Sequence, residues 1–259
     1  MSKINYKQLD RFIISDVMTP FYEKRFKKLR EMKLQDVLKR KNPYLYKAKN
    51  IQLAGDFSKY LLDAFLSSQE ETIFGNLLEE LAIHICSITY GGHKAEEGKF
   101  GSVDLIFKKG RKTYIVGIKS GPYWGNADQL SKMRNNFKKA KKILRAEGKK
   151  GRIIAVNGCV YGKENNPFKK HKKDYQKNYY KLCGQSFWRL ISNESNLYKI
   201  LIIPLDKEAK KKDEQFQKLY IKKINEMTKD LVNVFYANNT LDWSKILDYV
   251  SKEQSKNVI

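Results

Sequence analysis

The chain has 259 residues, 41% hydrophobic and 12% aromatic, so it carries enough apolar material for a packed core and is no disordered polycation. Its 52 Lys and Arg against 28 Asp and Glu leave a formal charge of +24, which attracts polyanions and is not offset by Glu as in a merely lysine-rich composition. No stretch reaches the roughly 18–20 apolar residues of a membrane span, the start lacks the apolar region of a signal peptide, and Cys86, Cys159 and Cys183 form no CxxC pair, so a soluble, cytoplasmic protein without disulfides or a zinc site is expected.

Residues 1–70 read as a helical N-terminal segment, with apolar positions at Phe12, Ile13 and Val17, a break at Pro20, then Phe26, Leu29 and Met32, and a new start near Asp56. Residues 71–88 carry Phe74, Leu77, Leu78, Leu81, Ile85 and Ile88 at helical spacing and predict a buried helix. After Gly91 and Gly92 the period changes. Residues 103–107 and 113–119 predict two strands of a β-hairpin, and a loop with Gly121, Pro122 and Gly125 leads to a helix over 127–147. That helix has an apolar stripe (Leu130, Met133, Phe137, Ala140, Leu144) and a strongly basic remainder.

Ile153–Val156 and Ile200–Leu205 read as buried strands with a helix between them around 175–191. Phe216, Tyr220, Ile224, Met227, Leu231 and Phe235 then define a long helix, and a short one follows over 242–251. The fold class expected is α/β, a central mixed sheet flanked by helices. Residues 71–205 form the core and 206–259 a helical C-terminal segment, whose apolar stripe would serve a dimer interface or close the chain's own core.

Asp104 lies in the first strand of the hairpin and Lys119 ends the second, so antiparallel pairing brings an acid and an amine to one sheet edge. Phosphodiester cleavage needs that combination: carboxylates and a carbonyl to hold a divalent cation, and an amine to orient the attacking water. Upstream, Gly75 and Glu79 form a Gly-x-x-x-Glu spacing, with Glu80 beside it. Adjacent acids on a helix cannot both face the sheet.

The Asp104 to Lys119 segment, with Gly75 and Glu79 before it, resembles the PD-(D/E)XK nuclease superfamily. The stretches Lys119–Asn126 (KSGPYWGN), Gly158–Gly162 (GCVYG) and Lys181–Ser192 (KLCGQSFWRLIS) look like one group of type II restriction endonucleases, related to enzymes that cut around a GGNCC core. The resemblance spans about residues 70–195. It implies a restriction-endonuclease-like core, Mg²⁺-dependent cleavage of double-stranded DNA within a restriction–modification system, and a homodimer matched to a palindromic site.

By that resemblance Asp104 and an acid at position 117 ligate Mg²⁺, with the Ile118 carbonyl as a further ligand. Lys119 positions the water, and Glu79 or Glu80 holds a further water or ion. This chain departs from the pattern in one place: position 117 is Gly117. Three explanations stand: an acid recruited from elsewhere, with Glu79 and Glu80 as candidates; a naturally inactive protein; or a Glu-to-Gly change that spared the host's DNA. The third is favoured here, because the surroundings fit an active enzyme and a glycine in an apolar strand has no evident packing reason. A non-cleaving DNA-binding protein on the same fold and a structure-selective nuclease are the alternatives.

For DNA contact, the candidates are Lys138, Lys141 and Lys142 on the 127–147 helix and Lys169, Lys170, Lys172 and Lys173 in the lysine- and tyrosine-rich segment 163–181. Trp124, Asn126, Gln129 and Arg134 follow the second strand closely enough to reach a groove. For Trp124 and Asn126, packing and helix capping are the favoured roles. His84 reads as a packed core histidine, and His93 and His171 as loop residues.

Overall fold

A computed structural model describes residues 3–163 and 179–253. Two compact units emerge: Met1–Thr19 with Phe74–Glu208, and Pro20–Ile73 with Ala209–Ile259.

The first unit holds a five-stranded mixed sheet in the order β1-β2-β3-β4-β5: β1 (His93–Lys94), β2 (Leu105–Lys109), β3 (Lys112–Lys119), β4 (Arg152–Cys159) and β5 (Tyr180–Cys183). β1, β2 and β3 are antiparallel neighbours, whereas β3, β4 and β5 run parallel. The β3–β4 crossover is made by a helix over Ala127–Ala146, called α6 below. Its buried Met133, Phe137, Ala140 and Leu144 pack on Ile106, Ile115, Ile153 and Ala155 of one sheet face. The predicted hairpin, basic helix and first parallel strand are all present.

Five helical segments precede this sheet in the sequence, α1 (Tyr6–Phe12), α2 (Thr19–Glu31), α3 (Leu34–Leu38), α4 (Pro43–Ala48) and α5 (Ala54–Tyr90), and most of α2, all of α3 and α4 and the first part of α5 belong to the second unit. A π-helical turn over Ile13–Met18 joins α1 to α2, with the Thr19 N–H reaching back five residues to the Ile14 carbonyl. The break expected at Pro20 is thereby absorbed: the wider turn tolerates a residue that cannot donate. The two helices expected around 56–88 are one, α5, because residues 66–73 contain neither Pro nor Gly to stop it.

The reading of Ile200–Leu205 as a strand is corrected. Gln185–Ser192 forms α7, Leu197–Ile200 forms α8, and Ile202–Phe235 is a 34-residue helix, α9. Pro204 sits in the first turn of α9, where a missing N–H costs nothing, and Ile202 and Ile203 are exposed rather than buried. The last strand of the sheet is instead β5, a segment expected to be helical. Its four residues, Tyr180, Lys181, Leu182 and Cys183, carry no clear alternation, and so hid a short parallel strand.

The second unit is helical, with a two-stranded ribbon, β6 (Tyr236–Ala237) and β7 (Thr240–Leu241), turned by Asn238 and Asn239 at positive φ. Helix α10 (Trp243–Ser251) follows, capped by Asp242. Phe216, Met227, Leu231 and Phe235 of α9 are buried in this unit, and the Tyr220 hydroxyl donates to Asp63. The α9 stripe therefore lies within the chain's own core.

Candidate active site

The sheet opens at the end of β3, and that opening gathers the polar side chains. The Asp104 N–H donates to the Val116 carbonyl, which continues the β2–β3 ladder one residue beyond β2. At the next step the Asp104 carboxylate takes the place of a main-chain oxygen and accepts the Ile118 N–H at 2.6 Å. Carbonyls alternate along a strand, and Lys119 O is used by the Val160 N–H on the β4 side, so the Ile118 carbonyl points to the side of Asp104. Lys119 Nζ lies 3.9 Å from Asp104 Oδ2. The expected meeting of acid, amine and carbonyl at one sheet edge is what the chain builds.

Glu79 joins them from α5. Gly75, one turn earlier on the same helix face, lies close to the end of β3: a Cβ there would sit 2.7 Å from Ser120 Oγ, and the hydroxyl would have to turn away. Glycine there lets α5 approach the end of β3, and the four-residue step places Glu79 within the field of Asp104, Lys119 and Lys94. Burial, and then the Asp104 charge, push the Glu79 carboxyl up to about 7. Burial also raises Asp104, outweighing the opposing pull of Lys119 and the Ile118 N–H. Two carboxyl groups thus share one poorly solvated edge, where a cation would relieve their repulsion.

Glu80 turns the other way. It is exposed and paired with Lys94, so of the two adjacent acids Glu79 is the one at the site. Among the described residues no group of three or more His, Cys, Asp or Glu could hold a metal. Two carboxylates and a carbonyl remain, a donor set that suits a hard cation keeping water and phosphate as its other ligands.

Gly117 has a packing reason after all. A Cβ there would lie 2.8 Å from the Ser102 main-chain carbonyl oxygen and 3.4 Å from Phe137 Cζ. The Ser102 segment is tied down in turn, because Asn136 of α6 donates to Ser102 Oγ. An acid at 117 would have to displace main chain held against α6, which corrects the expectation that this glycine has no structural role. The neighbouring position on β4 is Asn157, paired in register with Gly117, fully buried, and with Nδ2 lacking a hydrogen-bond partner. Sequence reading missed it, although it is the lone polar side chain after Arg152 in an apolar strand.

Asn126 and Gln129 form a reciprocal capping box: Asn126 Oδ1 accepts the Gln129 N–H and Gln129 Oε1 accepts the Asn126 N–H, both at 3.0 Å. Their side-chain oxygens start α6, the capping role expected for Asn126. Trp124 packs against the α6-facing core, with Lys119 Nζ 5.4 Å from its ring centre. Arg134, Lys138 and Lys142 are exposed along α6, whereas Lys141 is partly buried, its pKa lowered by burial and then by Arg152. Lys169, Lys170, Lys172, Lys173 and His171 lie outside the described residues. His84 stacks on Phe12 with rings 3.6 Å apart, and His93 is exposed.

Asp104, Lys119 and Glu79 thus stand together where the sheet opens, and the basic helix α6 begins a few residues further on. The family of type II restriction endonuclease EcoO109I matches residues 7–213, four-fifths of the chain, and the protein belongs to that family. No curated protein matches it. The family cleaves DNA sequence-specifically. Among the described residues no helix is long and apolar enough to cross a membrane.

Proposed function

We propose that the protein is a Mg²⁺-dependent type II restriction endonuclease, acting as a homodimer on double-stranded DNA at a GGNCC-type site, and that Glu79 supplies the carboxylate which position 117 lacks. The observation that carries this reading is that Glu79 stands in the field of the Asp104–Lys119 pair, while a side chain at 117 would press on the Ser102 carbonyl. Asp104, Glu79 and the Ile118 carbonyl would hold the cation, which when bound neutralises charge on the scissile phosphate and acidifies a water.

The chain's own groups do the rest. Lys119, anchored 3.9 Å from Asp104 Oδ2, presents its ammonium hydrogens to the attacking water or to a phosphate oxygen and fixes the line of attack. The Ile118 N–H holds one Asp104 oxygen in place, so the other is free to turn toward the edge. Exposed Arg134, Lys138 and Lys142 neutralise backbone phosphates.

The test is digestion of a long duplex of mixed sequence with Mg²⁺ and with EDTA, followed by sequencing of the fragment ends. Discrete, Mg²⁺-dependent fragments ending at one short palindrome are expected. Binding without cleavage would leave a DNA-binding protein on this fold, and cleavage confined to branched DNA a structure-selective nuclease.

A further inference from the structure

The loop that follows the catalytic lysine holds the most exposed aromatic side chain among the described residues. Tyr123 is 95% exposed, while the residues around it are fixed. At the loop's start the Tyr161 N–H donates to the Ser120 carbonyl, and a Cβ on Gly121 would meet the Tyr161 ring at 2.6 Å. Lys181 Nζ donates to the Pro122 carbonyl at 2.8 Å, and the Pro122 ring lies against Gly162. On the other side Trp124 is packed into the core and Asn126 caps α6. A lone exposed tyrosine is unremarkable on a protein surface. One carried on main chain pinned from both sides, with Lys181 Nζ 5.9 Å from its ring centre, is preorganised for a partner.

We propose that Tyr123 is a DNA-contacting wedge that stacks on or between bases beside the cut, a role that rests on the nuclease reading above. The loop leaves the carboxyl ends of the parallel strands, the side of such sheets where ligands sit. Tyr123 is four positions beyond Lys119, a Cα–Cα reach of at most about 14 Å. With both side chains added to that reach, the contacted base lies within one turn of duplex, roughly 34 Å, of the scissile phosphate. The ring supplies a π-face against a base, and Lys181 and Lys119 add cationic charge beside the same stretch of backbone.

The test uses the full chain without Mg²⁺ on duplexes with a randomised centre, first to select the bound sequence and then to measure affinity for it. Tyr123→Ala is expected to lose affinity on the order of tenfold, the size of one base–aromatic stack, while Tyr123→Phe keeps it and both variants melt with the parent. 2-Aminopurine walked through the selected site should report a changed stack at one position in the parent and in Tyr123→Phe, but not in Tyr123→Ala. Unchanged affinity and fluorescence in Tyr123→Ala would overturn the proposal, as would equal losses in both variants, which would assign the effect to the hydroxyl. A parent that binds and reports stacking but still cuts nothing once Mg²⁺ is added defeats the nuclease reading and leaves the wedge standing as a DNA contact.

Discussion

The two units handle partly buried charge in opposite ways. In the helical unit Arg25 is paired with Glu70 and lies over the Phe216 ring at 3.3 Å from its centre, with Phe21 and Tyr22 also in range. Each partner's charge is answered. In the sheet unit burial raises both carboxyls, the Asp104 charge raises Glu79 further, and the cation nearest Asp104, Lys119, stands 3.9 Å away. A charge cluster that is neutralised holds a fold together; one left with surplus like charge costs stability and is suited to a cationic ligand.

The largest expected effects separate the clusters by activity. Asp104→Asn, Lys119→Ala and Glu79→Gln should each reduce single-turnover cleavage on the order of 10²–10³-fold, whereas Glu80→Gln should leave it near the parent's. Without a divalent cation, Glu79→Gln should also be the more stable protein at pH 8. The sign follows from linkage: a carboxyl raised from 4.5 to about 7 on folding favours the folded state fully below 4.5 and loses that contribution as pH rises through about 7. The parent's melting temperature should fall across that window more steeply than that of Glu79→Gln.

Arg25→Ala should do the reverse. It removes a pair and a cation–π contact and should cost about 2 kcal/mol in denaturant unfolding, with cleavage per folded molecule retained. Gly117→Ala comes next. Its methyl meets the Ser102 carbonyl at 2.8 Å and should cost about 1–3 kcal/mol by thermal melting. Smallest is Asn157→Leu, which removes a buried amide with an unpaired Nδ2 and should stabilise by about 1 kcal/mol.

Much of this comparison was legible in the residues. The hairpin, α6 and β4 announced themselves by a change of period from 3.6 to 2 and back, and the Asp104–Lys119 meeting followed from hairpin pairing alone. β5 did not: four residues of mixed polarity carry too little pattern, and its strand state is set by β4 beside it. Ile200–Leu205 misled because an apolar run of that length reads alike as strand or helix. At the site, the sequence did not decide which of Glu79 and Glu80 faces the edge; the burial of Glu79 and the pairing of exposed Glu80 with Lys94 do. The fit at Gly117 was invisible, since the atom that closes it belongs to main chain 15 residues earlier.

The most direct test of the central claim, that Glu79 and not position 117 supplies the second carboxylate, is Mg²⁺-dependent digestion of a long linear duplex by three proteins. Parent, Glu79→Gln and Gly117→Glu would be compared at equal folded concentration. If Glu79 is that carboxylate, the parent gives discrete fragments, Glu79→Gln none, and Gly117→Glu, the least stable of the three, no gain. An inert parent together with discrete fragments from Gly117→Glu would contradict it and identify Gly117 as a lost catalytic acid.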